Sequence, residues 1–462
     1  MTVRSSRPLD RPPLAAAVSV SAPAAPISWA DPARAAAFAH WLTQTAPRCG
    51  LNPQTVRLAS ADASFRRYFR IDSATGASSC IIMDAPPAQE NSAPFVKVAA
   101  LMTQAGLNAP EVLAWDEANG FMLLSDLGSH TMLDVIKQQP RTDASPQNGE
   151  VAHSLYMQAV DALIGWQLAS RPDVLPPYDD ALLTRELALF PDWYVAQHRG
   201  IAVDTALRGK LDALFAQIKA SNLQSLGGAR VFVHRDFMAR NLMVAQVPDG
   251  PRLGNSPVSD STSLGAKAAS AGPPQARPAP ITHDRGSAPP QAHEVTSVGA
   301  TEQAKGRPER SSAPSGGSEG HEVPSVGATP LGILDFQDAV YGPITYDIAS
   351  LMRDAFWSWE EDFVLDITIR YWQKARQAGL PVGDDFGEFY RAVEWMGLQR
   401  HLKVLGIFAR LTLRDGKPQY LADTPRFMKY ARSTAARYRP LGPLMVLLDE
   451  IEGNETRVGY TF

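Results

Sequence analysis

The sequence predicts an α+β chain of two lobes, a small β-rich N-terminal lobe and a large, mainly helical C-terminal lobe, with a long disordered insert. Short apolar runs separated by turn residues crowd residues 55–124, whereas apolar residues at helical spacing dominate from Val151 onward. Residues 246–330 hold 13 Pro and 11 Gly, no aromatic residue and a single isoleucine, too little apolar surface to offset the entropy of ordering. The remainder of the 462 residues, 45% hydrophobic overall and 20% charged, can bury a sizeable core.

The chain divides on this reading into a disordered tail at 1–30, the N-terminal lobe at 31–125, a first part of the C-terminal lobe at 126–245, the insert at 246–330 and a second part at 331–462. A first helix is expected from Ala33 to Leu42. Thr55 to Ile71, TVRLASADASFRRYFRI, alternates around small residues from Ala59 to Ser64, which predicts a β-hairpin with a compact turn. Cys80 to Met83 predicts a strand, Pro94 to Gln104 an amphipathic helix with Phe95, Val98 and Met102 on one side, and Val112 to Trp115 and Phe121 to Leu124 two further strands. Ser125, Asp126, Leu127 and Gly128 then break the pattern. Val151 to Ala169 reads as a core helix. In the stretch from Ala181 to His198 the aromatics Phe190, Trp193 and Tyr194 are expected to pack, while Glu186 is a candidate to reach a substrate hydroxyl.

The insert repeats itself: HEVTSVGAT at His293 recurs as HEVPSVGAT at His321. Two copies without an apolar face point to a duplicated disordered segment rather than a solenoid. Asp362 to Glu450 is helical by pattern and carries a cationic cluster of Arg400, His401, Lys403 and Arg410.

Composition excludes several functions. A formal charge of −4 and a pI near 6.2 give no basic footprint for nucleic acid. Cys49 and Cys80 are too few and too far apart for a disulfide framework or a C-x-x-C metal site. No segment approaches the ~18 apolar residues of a membrane helix. Arg11 and the run Leu14 to Val20 only faintly imitate a secretion signal, so a cytoplasmic protein is expected.

Val231 to Val244, VFVHRDFMARNLMV, sets polar groups between two short apolar strands. His234-Arg235-Asp236 with Asn241 five residues after the aspartate has the form of the protein-kinase catalytic loop, in which the Asp accepts the acceptor hydroxyl's proton and the Asn holds Mg²⁺. Gly332 to Phe336, GILDF, supplies the second element, a strand ending in a metal-binding aspartate. A lone H-x-D arises by chance; the two motifs together are hard to obtain that way. The catalytic candidates are Asp236 with His234 and Arg240, the metal candidates Asn241 and Asp335, and the donor is ATP. The Gly-rich loop, strand lysine and helix glutamate of protein kinases are all missing. Ser64, Arg66 and Arg67, the neighbouring Arg70, and Lys97 are the expected replacements at the phosphates. Ser125, Asp126 and Leu127 stand where a hinge would hydrogen-bond adenine, although locally an ordinary strand-to-helix turn is the simpler account. Gln337 replaces the kinase glycine and no activation segment follows, which argues against a protein substrate. Asp347 heads a helix running through Leu351 and Phe356, where it caps the helix or braces the catalytic loop.

The segments ASFRRYFRI from Ala63, MDAPP from Met83, HRDFMARNLM from His234, LDFQDAVYGPITYDIASLMRD from Leu334 and LKVLGIFARLTLRDGK from Leu402 resemble the aminoglycoside phosphotransferase (APH) superfamily of small-molecule kinases, and within it the anomeric amino-sugar kinases of bacterial cell-wall recycling. The resemblance implies a bilobal, protein-kinase-like fold of the APH type, ATP and Mg²⁺ as cofactors, and a monomer acting on a cytoplasmic sugar. N-acetylmuramate or N-acetylglucosamine would gain a phosphate at the anomeric hydroxyl, giving a sugar 1-phosphate for UDP-sugar synthesis. Glu186, Asp338, Arg400, His401 and Lys403 are the acceptor-side candidates. An aminoglycoside, choline or homoserine is the competing acceptor, and intact Asp236, Asn241 and Asp335 argue against a pseudokinase binding module.

Overall fold

Alternation of apolar side chains gives the N-terminal sheet two buried faces. In this computed structural model, which describes residues 27–61, 65–138, 146–244 and 330–454, the strands are β1 (Arg57–Ala61), β2 (Arg67–Asp72), β3 (Ser79–Asp84), β4 (Val112–Asp116) and β5 (Phe121–Ser125). They form one antiparallel sheet in the order β1-β2-β3-β5-β4. Phe69, Ile71, Ile82, Phe121 and Leu123 point to α1 (Pro32–Arg48), which answers with Phe38 and Trp41. Met83, Met122 and Leu124 point the other way, to Phe95, Val98 and Met102 of α2 (Ala93–Gln104). The first helix runs six residues past its expected end. Asp31 caps its start, accepting from the Ala33 N–H at 2.8 Å, and Pro32 stands in the first turn, where its missing N–H costs nothing.

The C-terminal lobe begins with β6 (His130–Thr131), α3 (Met132–Gln138), α4 (Pro146–Leu168) and α5 (Asp180–Leu189), the last continuing as a π-helical stretch, Phe190–His198. α6 (Thr205–Gln224) leads to β7 (Arg230–Val233) and β8 (Leu242–Val244), which hold the catalytic loop between them; β9 (Gly332–Ile333) and β10 (Val340–Pro343) follow. β8 lies between β6 and β9, and β10 pairs with β7. Then come α7 (Thr345–Met352), α8 (Glu361–Gln377), α9 (Phe386–Leu413), α10 (Thr424–Arg437) and α11 (Gly442–Glu452). The expected packing role of the aromatics holds for Phe190 and Tyr194, whose rings stack at 5.5 Å inside the core formed with α6, α9, α10 and α11. α9 can approach the end of α5 only through Gly406, where an added Cβ would stand 2.2 Å from the Leu189 carbonyl oxygen.

One helix departs from expectation: α7 stops at Met352 instead of reaching Phe356. The buried Asp354 takes the Phe356 N–H at 2.7 Å, closing a local turn that competes with the helix. Most of the tail, the hairpin turn containing Ser64 and nearly all of the insert lie outside the described residues. Among the described residues no helix is long and apolar enough to cross a membrane.

Candidate active site

The loop between β7 and β8 is held in place by a carboxylate from elsewhere in the chain. Asp347, fully buried at the head of α7, accepts the backbone N–H groups of His234 at 2.7 Å and Arg235 at 3.0 Å. Of the two roles the sequence left open, its side chain takes the brace and not the cap. Burial raises its carboxyl to about 6, against the opposing pull of His234 and the two N–H donors. Arg235 stands at φ 77°, in the left-handed region that non-glycine residues rarely adopt, and Asp335 does the same at φ 65°. The two sparsely populated conformations flank one point.

His234 supplies structure at that point. The Asp236 N–H can only donate, so the His234 Nδ1 it meets at 3.2 Å must accept, and Nε2 then carries the hydrogen given to the Leu334 carbonyl at 3.0 Å. Burial depresses the imidazole's pKa and keeps this neutral tautomer. The ring thereby ties the catalytic loop to the strand that delivers Asp335. Asn241 makes the second tie, its Nδ2 donating to the Asp236 carbonyl at 2.8 Å and to Asp335 Oδ2 at 3.2 Å. Gln337 donates to Asp335 Oδ1 at 2.9 Å, which gives the residue replacing the kinase glycine a task.

These contacts suit the donor set for Mg²⁺. The Asn241 amide nitrogen is used internally, which leaves Oδ1 beside the Asp335 carboxylate as paired hard oxygen donors. Mg²⁺ is commonly held by one or two protein oxygens with phosphate and water completing its shell. No group of three or more His, Cys, Asp or Glu side chains suited to a metal occurs among the described residues.

Arg235 turns away from the loop into a buried charge cluster. Its Nη2 meets Glu186 Oε1 at 2.5 Å, and Lys403 Nζ meets the same oxygen at 2.7 Å. Tyr178 Oη and Gln399 Nε2 donate to the other oxygen at 2.6 and 3.0 Å. Burial alone would raise the Glu186 carboxyl, but the charges of Lys403 and Arg235 outweigh it and bring it to about 2. Glu186 is therefore an ionised anchor for Arg235.

A cleft of about 520 Å³ opens beside this loop. Tyr68 and Ile81 line its N-terminal side, Ser125 to Gly128 its back, and Asn241 and Asp335 its floor. Arg70 fixes the back wall by donating to both oxygens of Asp126, at 2.6 and 3.0 Å, and to the Gly128 carbonyl at 2.7 Å. Burial pushes the Asp126 carboxyl up, but the hydrogen bonds from Arg70 and Ser79 hold it below the usual carboxylate range. β9 closes in through Gly332, where a Cβ would stand 2.8 Å from Leu127 Cδ1.

The profile of the phosphotransferase enzyme family APH matches residues 55–254 and 325–385. An N-acetylmuramate/N-acetylglucosamine kinase of Neisseria meningitidis serogroup B is 39% identical over 92% of this chain and 98% of its own length. The chain belongs to the APH phosphotransferase family. Family members bearing the same name in Pseudomonas aeruginosa and Pseudomonas putida are 40% and 37% identical, over 84% and 85% of this chain and 86% and 87% of theirs.

As an APH phosphotransferase the chain places its sequence-predicted residues unevenly. Asp236, His234, Asn241 and Asp335 converge, with Arg240 at the cleft edge and Ser125, Asp126 and Leu127 along its back. The Asp126 side chain is spent there on Arg70, Ser79 and the Gly128 N–H. Three phosphate candidates are corrected. Lys97 turns to the Val174 carbonyl at 2.5 Å, outside the cleft wall. Arg67 lies on the opposite face of β2, where it shares the buried Asp84 with Arg34 and covers the Trp29 ring at 4.0 Å. Arg66 is buried and paired with Glu90 at 3.1 Å.

Four of the acceptor-side candidates, Glu186, Lys403, Arg400 and His401, are buried or ion-paired. Glu186 is shared by Lys403 and Arg235. Arg400 is 5% exposed, its guanidinium 5.2 Å from the Tyr346 ring. His401 is 1% exposed between Phe427 and Tyr430, and burial holds its pKa well below the ordinary value, so it presents no charge. Asp338 is exposed beside the site and contributes its carbonyl to Arg235 Nη1 at 3.3 Å. Sequence reasoning missed Asp354, a second buried carboxylate that reaches the catalytic loop by accepting the Ala239 N–H at 3.0 Å. No spacing rule marks it, because its two partners lie 115 residues upstream and two downstream.

Proposed function

We propose that the chain transfers the γ-phosphoryl group of ATP to the anomeric hydroxyl of N-acetylmuramate or N-acetylglucosamine, giving a sugar 1-phosphate and ADP. The observation that carries this reading is Asp236, presented on a loop braced by Asp347 and standing beside the Asn241–Asp335 pair. The acceptor is supported by the names of relatives that match nearly the whole chain.

The anomeric hydroxyl is more acidic than the other sugar hydroxyls, since its carbon also bears the ring oxygen, so a single carboxylate suffices as its base. Asp236 orients that hydroxyl and receives its proton as the oxygen bonds to the γ-phosphorus and the bond to the ADP oxygen breaks. Asn241 and Asp335 would hold Mg²⁺, which would neutralise charge on the phosphates. Ser125 to Leu127 offer backbone groups to the adenine. The remaining work is positioning, which the ties through Asp347, His234 and Asn241 supply. The reaction and its product would enter sugar-nucleotide synthesis in cell-wall recycling.

A ³¹P and mass-spectrometric assay with ATP, Mg²⁺ and both sugars tests the reading. The expected product loses its phosphate in mild acid, and the open-chain alditols, which lack the anomeric centre, stay unphosphorylated. An acid-stable 6-phosphate, or turnover of the alditol, rules the anomeric assignment out.

A further inference from the structure

We infer that Arg240 recognises a carboxylate carried by the acceptor, and that Asp354 is the positioning residue that seats it. This rests on the proposed amino-sugar acceptor and goes beyond it by assigning how a charged and a neutral sugar are told apart.

Arg240 stands four residues after Asp236 in the same loop, at the edge of the cleft and exposed. Its guanidinium carbon lies 4.5 Å from the centroid of the Phe356 ring, and no hydrogen-bond or ion-pair partner for it is found among the described residues. A guanidinium held over an aromatic ring keeps N–H donors free for a carboxylate, which it can take through two parallel hydrogen bonds. The backbone of the residue beneath it is itself held. Asp354 Oδ1 accepts the Phe356 N–H at 2.7 Å, and Oδ2 accepts the N–H of Ala239, the residue before Arg240, at 3.0 Å. One buried carboxylate thus grips both the backbone that carries the arginine and the residue that supports its side chain.

The neighbouring cations are engaged. Arg235 and Lys403 are held by Glu186, Arg353 by Glu361, and Arg426 by the Ala355 carbonyl and Asp423. Arg400 and His401 are buried. Among these cations, Arg240 is the exposed positive group in the loop that carries Asp236. N-acetylmuramate carries a lactyl carboxylate and N-acetylglucosamine does not, so the arginine should act on their ratio.

The test is kcat/KM for both sugars in the full-length wild type, R240Q, R240K, F356L and F356Y. R240Q is expected to lower the ratio of N-acetylmuramate to N-acetylglucosamine about ten- to hundredfold, the range of a lost charge-assisted hydrogen bond, chiefly through KM for N-acetylmuramate. R240K should retain part of the preference. F356L should lower the ratio and F356Y restore it, a rescue that a merely structural role for the ring would not confine to one sugar. Turnover of both sugars with R240Q changing them equally overturns the inference while the acceptor reading stands. A wild type accepting only the neutral sugar also overturns it, and one accepting neither sugar defeats the acceptor reading and this inference together.

Discussion

The proposed base Asp236 sits on a loop whose supports were unequally visible in the sequence. The motif residues His234, Asp236 and Asn241 lie within one local loop, so their spacing can be read directly. Asp347, Asp354 and Glu186 reach that loop from 113, 115 and 49 residues away, and no periodicity encodes such distances. Lys97 and Arg67 were misread for a related reason: residue type suggested phosphate binding, but helix position and strand parity sent them elsewhere. At this scale the roles of Asp236 and Asp335 separate. Asp236→Asn keeps nucleotide affinity and loses about 10²- to 10⁴-fold in kcat, the usual contribution of a positioned base. Asp335→Ala also loses Mg²⁺-dependent nucleotide binding, read by titrating a fluorescent ATP analogue with and without Mg²⁺. Near-wild-type turnover in Asp236→Asn would remove it from the mechanism.

At the scale of elements, the strands flanking the catalytic loop were legible because each is a short apolar run, and the sheet of the N-terminal lobe for the same reason. The end of α7 was not, since it depends on the Asp354 side chain closing a turn on Phe356, which competes with a helical pattern that looks continuous. The insert can be judged by where it leaves and returns. β8 and β9 pair directly, Leu242 opposite Ile333 and Met243 opposite Gly332, so the positions that bracket residues 246–330 are adjacent strand ends. A short turn can span them. Loop closure adds only about 0.6 kcal/mol per doubling of length, so replacing the segment with a Gly/Asn turn should leave kcat, KM and Tm nearly unchanged. A soluble deletion variant that fails to turn over would give the segment a task beyond linking the strands.

For the whole molecule, the buried carboxylates set opposite responses to acid. Glu186 has its carboxyl lowered to about 2, so its stabilisation is complete above the ordinary glutamate range and is lost only as pH falls through about 2. Asp347 has its carboxyl raised to about 6, so the folded chain binds that proton more tightly than the unfolded chain does. Its contribution to stability is full below the ordinary aspartate range and declines as pH rises through about 6. Neither group therefore drives unfolding between about pH 4.5 and 6. Activity should behave otherwise. Protonating Asp347 removes the charge that holds the His234 and Arg235 N–H groups and, through them, the left-handed turn at Arg235. We therefore expect kcat to fall as pH drops through about 6 while far-UV circular dichroism holds and the urea midpoint does not fall. Asp347→Asn, which cannot titrate, should start from a lower kcat and lack that acid limb. An Asp347→Asn profile with the wild-type limb intact would assign the limb to another group, and a wild-type limb coinciding with loss of ellipticity would make it an unfolding event instead of a loosening of the loop.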